Sequence, residues 1–260
     1  MNEILYGRHA VLEALRAKRR RALRLFLAEG VQERGTVLEI LEIAHQRGIP
    51  VQRVRRGELD RLGTTDHQGV AMEATPFPYV ELEDILTAAA ARSELPFLLL
   101  LDHLQDPQNL GTLLRTAEAV GVHGVVLPER RAAGVTPAVS NVSAGAVEHL
   151  HVARVTNLVQ TIEKLKRAGV WVIGLERTAS AIPYDRADLS GPLALVVGSE
   201  GGGMSRLVRE HCDWLVMLPM FGRINSLNAA VAGSIVLYTA VHARQREVTC
   251  KTSMPSTPLA

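Results

Sequence analysis

The sequence predicts an α/β protein with a C-terminal, mainly parallel sheet that carries helices on both faces, and a small N-terminal α/β domain. Two observations predict the parallel sheet. Short runs of Val and Leu that end in turn residues, such as Leu193–Val197 and Trp214–Leu218, are typical of strands buried on both faces. Stretches with helical apolar spacing alternate with these runs. A proline-containing stretch, Thr75–Pro96, separates the two parts and indicates a domain boundary.

Residues 1–74 are expected to form the small domain. Its pattern predicts, in order, helix Gly7–Ala17, strand Leu23–Leu27, helix Thr36–Arg47, strand Ile49–Val54, helix Gly57–Leu62 and strand Val70–Ala74. Residues 75–96 are the expected linker, because Pro76 and Pro78 interrupt regular structure. Within it, the alanines of Val80–Ala91 favour a loosely docked helix.

Residues 97–246 are expected to form the larger domain, in which strands and helices alternate. Before Leu193 the predicted segments are Phe97–Leu101, Gly111–Ala119, Gly124–Leu127, Pro137–Gly145, His151–Arg154, Leu158–Arg167 and Val170–Leu175. Residues 247–260 contain prolines, threonines and serines with little apolar pattern, and we expect a disordered tail there.

The charge is low overall and uneven along the chain. A formal net charge of +2 excludes bulk polycationic binding. Residues 1–73, however, carry 13 basic and 10 acidic side chains, which permits a nucleic-acid partner. The basic run Arg16–Arg24 has two interpretations, a solvated helix end and turn, or a surface that meets phosphates.

Cysteine content and terminal composition favour a cytoplasmic protein. Cys212 and Cys250 are too few for a disulfide scaffold and lack metal-site spacing, so we expect free thiols and no metal. The N-terminus has no long apolar segment of a signal peptide. The mostly apolar stretch Ser226–Ala243 contains polar residues and lacks flanking anchors, which favours a core or interface helix over a membrane span.

A glycine-rich turn, Gly198–Gly203, follows the strand that ends at Val197. It does not fit G-x-G-x-x-G, and although it fits the frame of a P-loop, Met204 stands where the phosphate-binding Lys is required. Glu200 would also repel phosphate. A cofactor without phosphates suits the loop better, because glycines let backbone groups approach a ligand and an acid can face a cation.

Two further segments have polar residues at helix starts. In Phe97–Gly121, Asn109 is predicted to cap the following helix, and Arg115, six residues later, need not share the face of the cap. In Asn225–Asn228, Ser or Asn before an apolar helix is also typical of a cap. Taken one at a time, these residues are most simply capping or solvent-facing.

Three segments in this order resemble a known family. DPQNLGTLLRTAEAVG, LVVGSEGGGMS and LPMFGRINSLNAAVA resemble the three motifs of the SpoU/TrmH branch of the SPOUT methyltransferases. YGRHAVLEAL and HQGVAME in the first domain resemble its L30e-like substrate-binding domain. The two-domain layout, GVHGVV and REHCD are most similar to the 23S rRNA guanosine-2′-O-methyltransferases of the RlmB type.

The resemblance implies a fold, an activity and a site. It implies a trefoil knot near the C-terminus, S-adenosylmethionine as cofactor, RNA (most simply rRNA) as substrate, and a homodimer paired through the apolar helix after Ser226. The implied catalytic residues are Asn109, Arg115, Glu200, Ser226 and Asn228; the implied cofactor-binding residues are Gly198, Leu218 and Leu227, with Met220 adding contact. Ala229-Ala230 departs from the Val-Ser common in the family.

The resemblance is compatible with more than one function, substrate and role of Arg115. The same scaffold could serve a non-catalytic RNA-binding or ribosome-assembly protein, although the intact set of five polar residues argues against decay. The same chemistry could act on tRNA in place of rRNA. Arg115 has two candidate roles, a general base or a charge that stabilises the nascent alkoxide, because a guanidinium is normally never deprotonated.

Overall fold

The computed structural model describes residues 2–62 and 66–252 of the chain, and for 247–252 the backbone only. The chain divides into two compact units. The first comprises Met1–Val80, Gln105–Ala119 and Ala133–His151, and the second Glu81–Leu104, Val120–Ala132 and Val152–Ala260.

Strands and helices alternate through most of the described residues. Up to residue 102 they are β1 (Glu3–Tyr6), α1 (Arg8–Ala17), β2 (Ala22–Ala28), α2 (Thr36–Gln46), β3 (Val51–Val54), α3 (Arg56–Arg61), β4 (Val70–Ala74), α4 (Leu82–Ala91) and β5 (Phe97–Asp102). Then follow α5 (Pro107–Ala119), β6 (Gly124–Pro128), α6 (Pro137–Val142), a 3₁₀ turn (Ala146–His149), β7 (Val152–Val155), α7 (Leu158–Arg167), β8 (Trp171–Leu175), β9 (Ile182–Pro183), β10 (Leu193–Gly198), α8 (Arg206–His211), β11 (Trp214–Met217) and α9 (Ala229–Thr252).

The first unit contains a four-stranded sheet in the order β1-β4-β2-β3. β4 is antiparallel to both of its neighbours, whereas β2 and β3 are parallel. Leu5, Leu15, Leu27 and Ile40, which come from two strands and two helices, are at most 2% exposed and share one core. Burying each such side chain contributes about 1.5–3 kcal/mol.

A buried ion pair joins distant parts of the first unit. The Arg20 guanidinium forms a two-point contact with the Glu148 carboxylate, with N–O distances of 2.9 and 3.0 Å, and its Nη1 donates to Glu3. Ser140 Oγ donates to the same carboxylate. Arg16 pairs with Glu13 and Glu39. Arg20 is therefore buried and removed from the predicted phosphate-meeting surface, whereas Arg16 stays exposed with its charge paired to two acids.

The second unit contains a seven-stranded sheet in the order β7-β6-β5-β10-β8-β11-β9. Each of its six strand pairings is parallel. The central strands β5 and β10 are buried at every residue, which explains why they appear in the sequence as unbroken apolar runs. The predicted parallel sheet and small N-terminal α/β domain are confirmed.

Helix α4 is firmly packed, so the expectation of loose docking was wrong. Ile85 is fully buried, and a Cβ on Gly124 of β6 would lie 2.5 Å from its Cδ1. A capping box between Glu81 and Asp84 fixes the start of the helix. Periodicity indicated the helix, but only the absence of a side chain at Gly124 allows this close approach to the sheet.

The last helix is longer than predicted. α9 continues to Thr252, so its end lies in the segment 247–260 for which a tail was predicted, and residues 253–260 lie outside the described part of the chain. Within the described residues, no helix combines the length and apolar character needed to cross a bilayer. The trefoil knot implied by the resemblance stays a prediction.

Candidate active site

A cavity of about 600 Å³ lies in the second unit where three neighbouring strands end. Leu175 ends β8, Gly198 ends β10, and Met217 ends β11; all three residues line the cavity. In parallel sheets, ligands bind outside the carboxyl ends of the strands. Six residues predicted for the site line this one cavity: Gly198, Glu200, Leu218, Ser226, Leu227 and Asn228.

The glycine-rich turn is a tight hairpin over the end of β10. Ser199 and Gly203 exchange two backbone hydrogen bonds of 3.0 Å. Gly203 has a φ of +64°, in the left-handed region that favours glycine. A Cβ on Gly198 would lie 2.3 Å from the carbonyl carbon of Gly203, so no side chain fits there without moving the turn. Glycine at 198 is thus required by the close approach of two backbone segments.

Asn228 connects the turn to helix α9. Its Oδ1 accepts hydrogen bonds from the backbone N–H groups of Ala230 and Val231 at 2.9 and 3.1 Å, which is the geometry of an N-cap. Its Nδ2 donates to Glu200 Oε1 at 2.6 Å. One amide side chain therefore caps the helix, as its position before an apolar helix predicted, and also holds the Glu200 carboxylate at the cavity.

The remaining wall comes from the segment between β11 and α9. Leu218 and Met220 are half-buried, whereas Ser226 is exposed and Leu227 is 41% exposed. This segment has no regular structure, and both apolar residues (Leu218, Met220 and Leu227) and polar residues (Asn225 and Ser226) of it line the cavity. It can therefore hold an apolar ring system and hydrogen-bond its polar edge, as small-molecule sites commonly do.

Asp102 fixes the loop on the other side of β10, a role that the sequence did not reveal. Its Oδ2 accepts a 2.6 Å hydrogen bond from the backbone N–H of Ser205, the residue before α8, and its Oδ1 lies 2.7 Å from Nδ1 of His103. The Asp102 side chain is only 1% exposed. A strand-end acid is a weak signal in a sequence, because its partner is more than one hundred residues away.

Asn109 and Arg115 lie on α5, which belongs to the first unit. The expected cap was wrong, because Asp106 accepts the hydrogen bond from the backbone N–H of Gln108 while Asn109 is inside the helix and 6% exposed. Arg115 is exposed, and forms no hydrogen bond or ion pair with the rest of the described chain. Asn109 is buried and Arg115 is exposed, so their side chains lie on different faces of α5.

Two charged residues at the cavity, Glu176 and Arg177, were not predicted from the sequence. Glu176 directly follows β8, and the neighbouring Arg177 donates from Nη1 to the backbone carbonyl of Asn225 at 3.2 Å. Neither lies in one of the three motifs, and no local signal marks them. Among the described residues there is no group of His, Cys, Asp and Glu side chains suited to hold a metal ion.

Comparison with known proteins identifies the family. Residues 96–238 match the SpoU rRNA Methylase family, and residues 4–80 match the RNA 2′-O ribose methyltransferase substrate-binding family. A putative TrmH family tRNA/rRNA methyltransferase of Bacillus subtilis, YacO, is 45% identical over 94% of this chain and 96% of its own. A relative of the same description from Staphylococcus saprophyticus is 42% identical over 93% and 96%.

The fold is shared with solved structures. The SpoU methyltransferase AviRb from Streptomyces viridochromogenes superposes with a TM-score of 0.78 at 24% identity, covering 95% of this chain and 91% of its own. AviRb has also been solved in complex with the cofactor AdoMet, with a TM-score of 0.76 at the same identity and the same coverage. By sequence match over more than half of its length, and by its close relatives, the chain belongs to the SpoU rRNA methylase family.

Proposed function

We propose that this protein transfers a methyl group from S-adenosylmethionine to a ribose 2′-hydroxyl of RNA. The observation that carries the proposal is the convergence of six motif residues on one strand-end cavity in a chain of the SpoU family. The match of residues 4–80 to a ribose methyltransferase substrate-binding family supports the 2′-hydroxyl as acceptor.

The cavity fits this cofactor. About 600 Å³ is within the usual range for small-molecule sites. Gly198 and Gly203 line the cavity, and the glycine-rich turn has no lysine to meet a phosphate. When bound, the cofactor supplies an electrophilic methyl group on a sulfonium. Gly198, Leu218 and Leu227 would hold it, and Glu200, fixed by Asn228, contributes a negative charge near a cationic ligand.

The chain's own part in the reaction is alignment and charge. Direct displacement needs the acceptor oxygen in line with the methyl carbon and the sulfur, and such alignment can supply several kcal/mol. We assign Asn109 and Asn228 to hydrogen bonding, Ser226 to the substrate side and Glu200 to orientation. Arg115 either removes the proton of the 2′-hydroxyl or stabilises the alkoxide; its exposed position on α5 leaves the guanidinium available for RNA.

A cleft in the first unit suits the RNA backbone. A cavity of about 490 Å³ is lined by Arg8, Arg34 and Arg56, with Gln32 and Gln68 beside them and no acidic residue. None of these three arginines forms an ion pair within the described chain; Arg8 donates from Nε to the Gln68 carbonyl at 3.1 Å. Guanidinium groups bind phosphates, and amide side chains can read base edges. We assign RNA docking to this cleft.

The finer identity of the substrate is also part of the proposal. We infer a guanosine of 23S rRNA, because the two-domain layout and motif details resemble that subtype. The curated relatives are described as tRNA/rRNA methyltransferases, so tRNA is the specific alternative. We further infer that the protein works in the cytoplasm and as a homodimer.

An exposed apolar strip supports the dimer. It consists of side chains that precede and follow the start of α9, each at least 37% exposed: Phe221, Ile224, Leu227, Val231, Ile235 and Tyr238. Exposed apolar side chains that cluster in one stretch of chain, here residues 221–238, are typical of an interaction site. Because Leu227 also lines the cavity, a second copy on this strip would lie close to the site.

The test is methyl transfer to defined RNA. The protein is incubated with labelled S-adenosylmethionine and with unmodified 23S rRNA or tRNA, and modified nucleotides are mapped by mass spectrometry. We expect one 2′-O-methylguanosine in rRNA, and loss of transfer in Arg115→Ala with its fold retained. Methylation of tRNA and not of rRNA would show that tRNA is the substrate. RNA binding without transfer under any condition would indicate a non-catalytic protein.

A further inference from the structure

Glu176 is a half-buried acid at the cavity wall that none of the three motifs includes. It follows the last residue of β8, and its backbone N–H donates to the Val216 carbonyl at 3.0 Å, so its position is fixed by the sheet. Its side chain is 18% exposed and lines the cavity beside Gly198 and Gly203.

The two oxygens of this carboxylate differ. Oε1 accepts a 3.0 Å hydrogen bond from Nη1 of Arg209 on α8. Oε2 is buried, and no described residue offers it a hydrogen bond. Gly203 lies close to the carboxylate, since a Cβ built there would lie 3.3 Å from Oε1 and 3.8 Å from Oε2. The carboxylate cannot turn far without losing Arg209 or meeting the glycine-rich turn.

An unsatisfied buried acceptor costs about 1–3 kcal/mol, and nearly all buried polar groups in proteins have a partner. An exception at the wall of a ligand cavity is explained if the ligand brings the donor. Because Arg209 already neutralises the charge of Glu176, the free oxygen offers a hydrogen-bond acceptor and little net charge. A neutral hydroxyl or amino group suits it better than an ammonium group does.

We propose that Glu176 Oε2 accepts a hydrogen bond from the adenosine half of the methyl donor, through a ribose hydroxyl or the adenine amino group. This rests on the proposed function, since it assigns one more contact to the same site. The proposal makes Glu176 a cofactor-binding residue and Arg209 the positioning residue, because Arg209 holds Oε1 and Oε2 is left without a partner in the described chain.

Glu176→Gln separates this role from a structural one. The variant keeps the size of the side chain, and to keep the bond with Arg209 its amide oxygen must take the Oε1 position. Its NH₂ group then takes the place of Oε2, so an acceptor becomes a donor. Glu210→Gln is the matched control: Glu210 also pairs with an arginine, Arg206, at 3.1 Å, but it does not line the cavity.

The experiment is calorimetric titration of the full chain with three ligands. These are S-adenosylmethionine, S-adenosylhomocysteine and methylthioadenosine, which keeps the nucleoside and lacks the amino-acid part. We expect Glu176→Gln to weaken binding of all three by about tenfold or more, as for a hydrogen bond to a charged group. Glu210→Gln should bind like wild type. Thermal melting without ligand checks the fold, and we expect similar midpoints for all three proteins.

Three results would overturn the inference. Unchanged affinities in Glu176→Gln would show that Oε2 meets no ligand group. Weaker binding of the first two ligands with unchanged methylthioadenosine would place the contact on the amino-acid half. A large loss of ligand-free stability in Glu176→Gln would indicate a structural residue. Failure of the wild-type protein to bind any of the three would instead refute the proposed function itself.

Discussion

Asn228 makes hydrogen bonds in two directions, and each can be removed separately. Its oxygen caps α9, and its nitrogen holds Glu200. The cap is a local effect that sequence can suggest. The contact with Glu200 joins two motifs 28 residues apart in the chain, and its consequence is a fixed charge at the cavity.

We predict that Asn228→Asp keeps the stability of the protein and loses its activity. Aspartate caps a helix as well as asparagine does, but its carboxylate would repel Glu200. Asn228→Ala should lose about 1 kcal/mol in the free energy of unfolding, the usual value of a cap. Urea denaturation and methyl transfer are measured side by side. Full activity in the Asp variant would contradict the positioning of Glu200.

The thiol of Cys212 is predicted to be inert. Burial raises its pKa to about 12, with the charge of Asp213 adding to the effect. Only the thiolate is nucleophilic, so at pH 8 the Cys250→Ser protein should react with a disulfide reagent at least ~100-fold more slowly than the same protein in urea. Fast reaction of the folded protein would mean that the segment around Cys212 opens to solvent. Cys212 is a free thiol, as expected.

At the scale of elements, His123 links β5 to the chain before it. The backbone N–H of Phe97 donates to Nδ1 at 3.1 Å, so this nitrogen carries no proton, and Nε2 lies 2.9 Å from Glu94 Oε2. Burial lowers the pKa of His123 despite the neighbouring Glu94. The neutral ring therefore fixes the start of the central strand.

We predict a specific loss of stability in acid. Because the pKa of His123 is lower in the folded chain than its ordinary 6.5, the unfolded chain takes up the proton first. The contribution of neutral His123 to the free energy of unfolding is complete above about pH 6.5. It declines as the pH falls below that value, by at most ~1.4 kcal/mol per pH unit. His123→Gln should reduce this slope in urea denaturation, while His45→Gln, at an exposed position of α2, should not. If the free energy of unfolding depended on pH equally in the wild type and both variants, the loss of stability in acid could not be assigned to His123.

The start of α9 carries the apolar strip defined above, and we predict that it pairs two copies of the chain. Val231, Ile235 and Tyr238 are spaced by four and three residues, so they share one helix face. Ile235→Glu should shift the sedimentation velocity of a dimer to that of a monomer. Leu38→Glu provides the control, since Leu38 is 45% exposed on α2, outside the strip. A monomeric wild-type protein at micromolar concentration would contradict this prediction.

At the scale of the whole molecule, charge is distributed less evenly than a count suggests. In the basic run Arg16–Arg24, Arg16 and Arg20 form ion pairs with acids of the same chain. Three arginines far apart in sequence instead line one cleft. A second cavity of about 570 Å³ in the same unit has three exposed cations, Lys18, Arg21 and Arg47, but its lining includes Leu23, Ile49 and Pro50 and no amide side chain.

That second cavity supplies a matched control for RNA docking. The triple variant R8A/R34A/R56A should bind an rRNA fragment at least tenfold more weakly, and its affinity should depend less steeply on salt, with a slope smaller by about 2. The variant K18A/R21A/R47A removes the same charge and should lose much less. Fluorescence anisotropy over a salt series measures both. Equal losses in the two variants would indicate unspecific attraction only.

The sequence by itself determined the α/β class, the parallel sheet and the family. Unbroken apolar runs report strands buried on both faces, and three ordered motifs are specific without any coordinates. It also indicated six residues that line one cavity, because strand-end loops of a parallel sheet meet at the same edge.

The tertiary structure alone decided which polar residues are used internally and which remain available. The Arg20–Glu148 pair, the Asp102–Ser205 anchor and the Glu176–Arg209 pair join residues that are 128, 103 and 33 positions apart. Their energies depend on burial and distance, and neither quantity is encoded in the local pattern of side chains. A cation in a sequence is therefore only a candidate for RNA binding until the fold shows whether an acid already holds it.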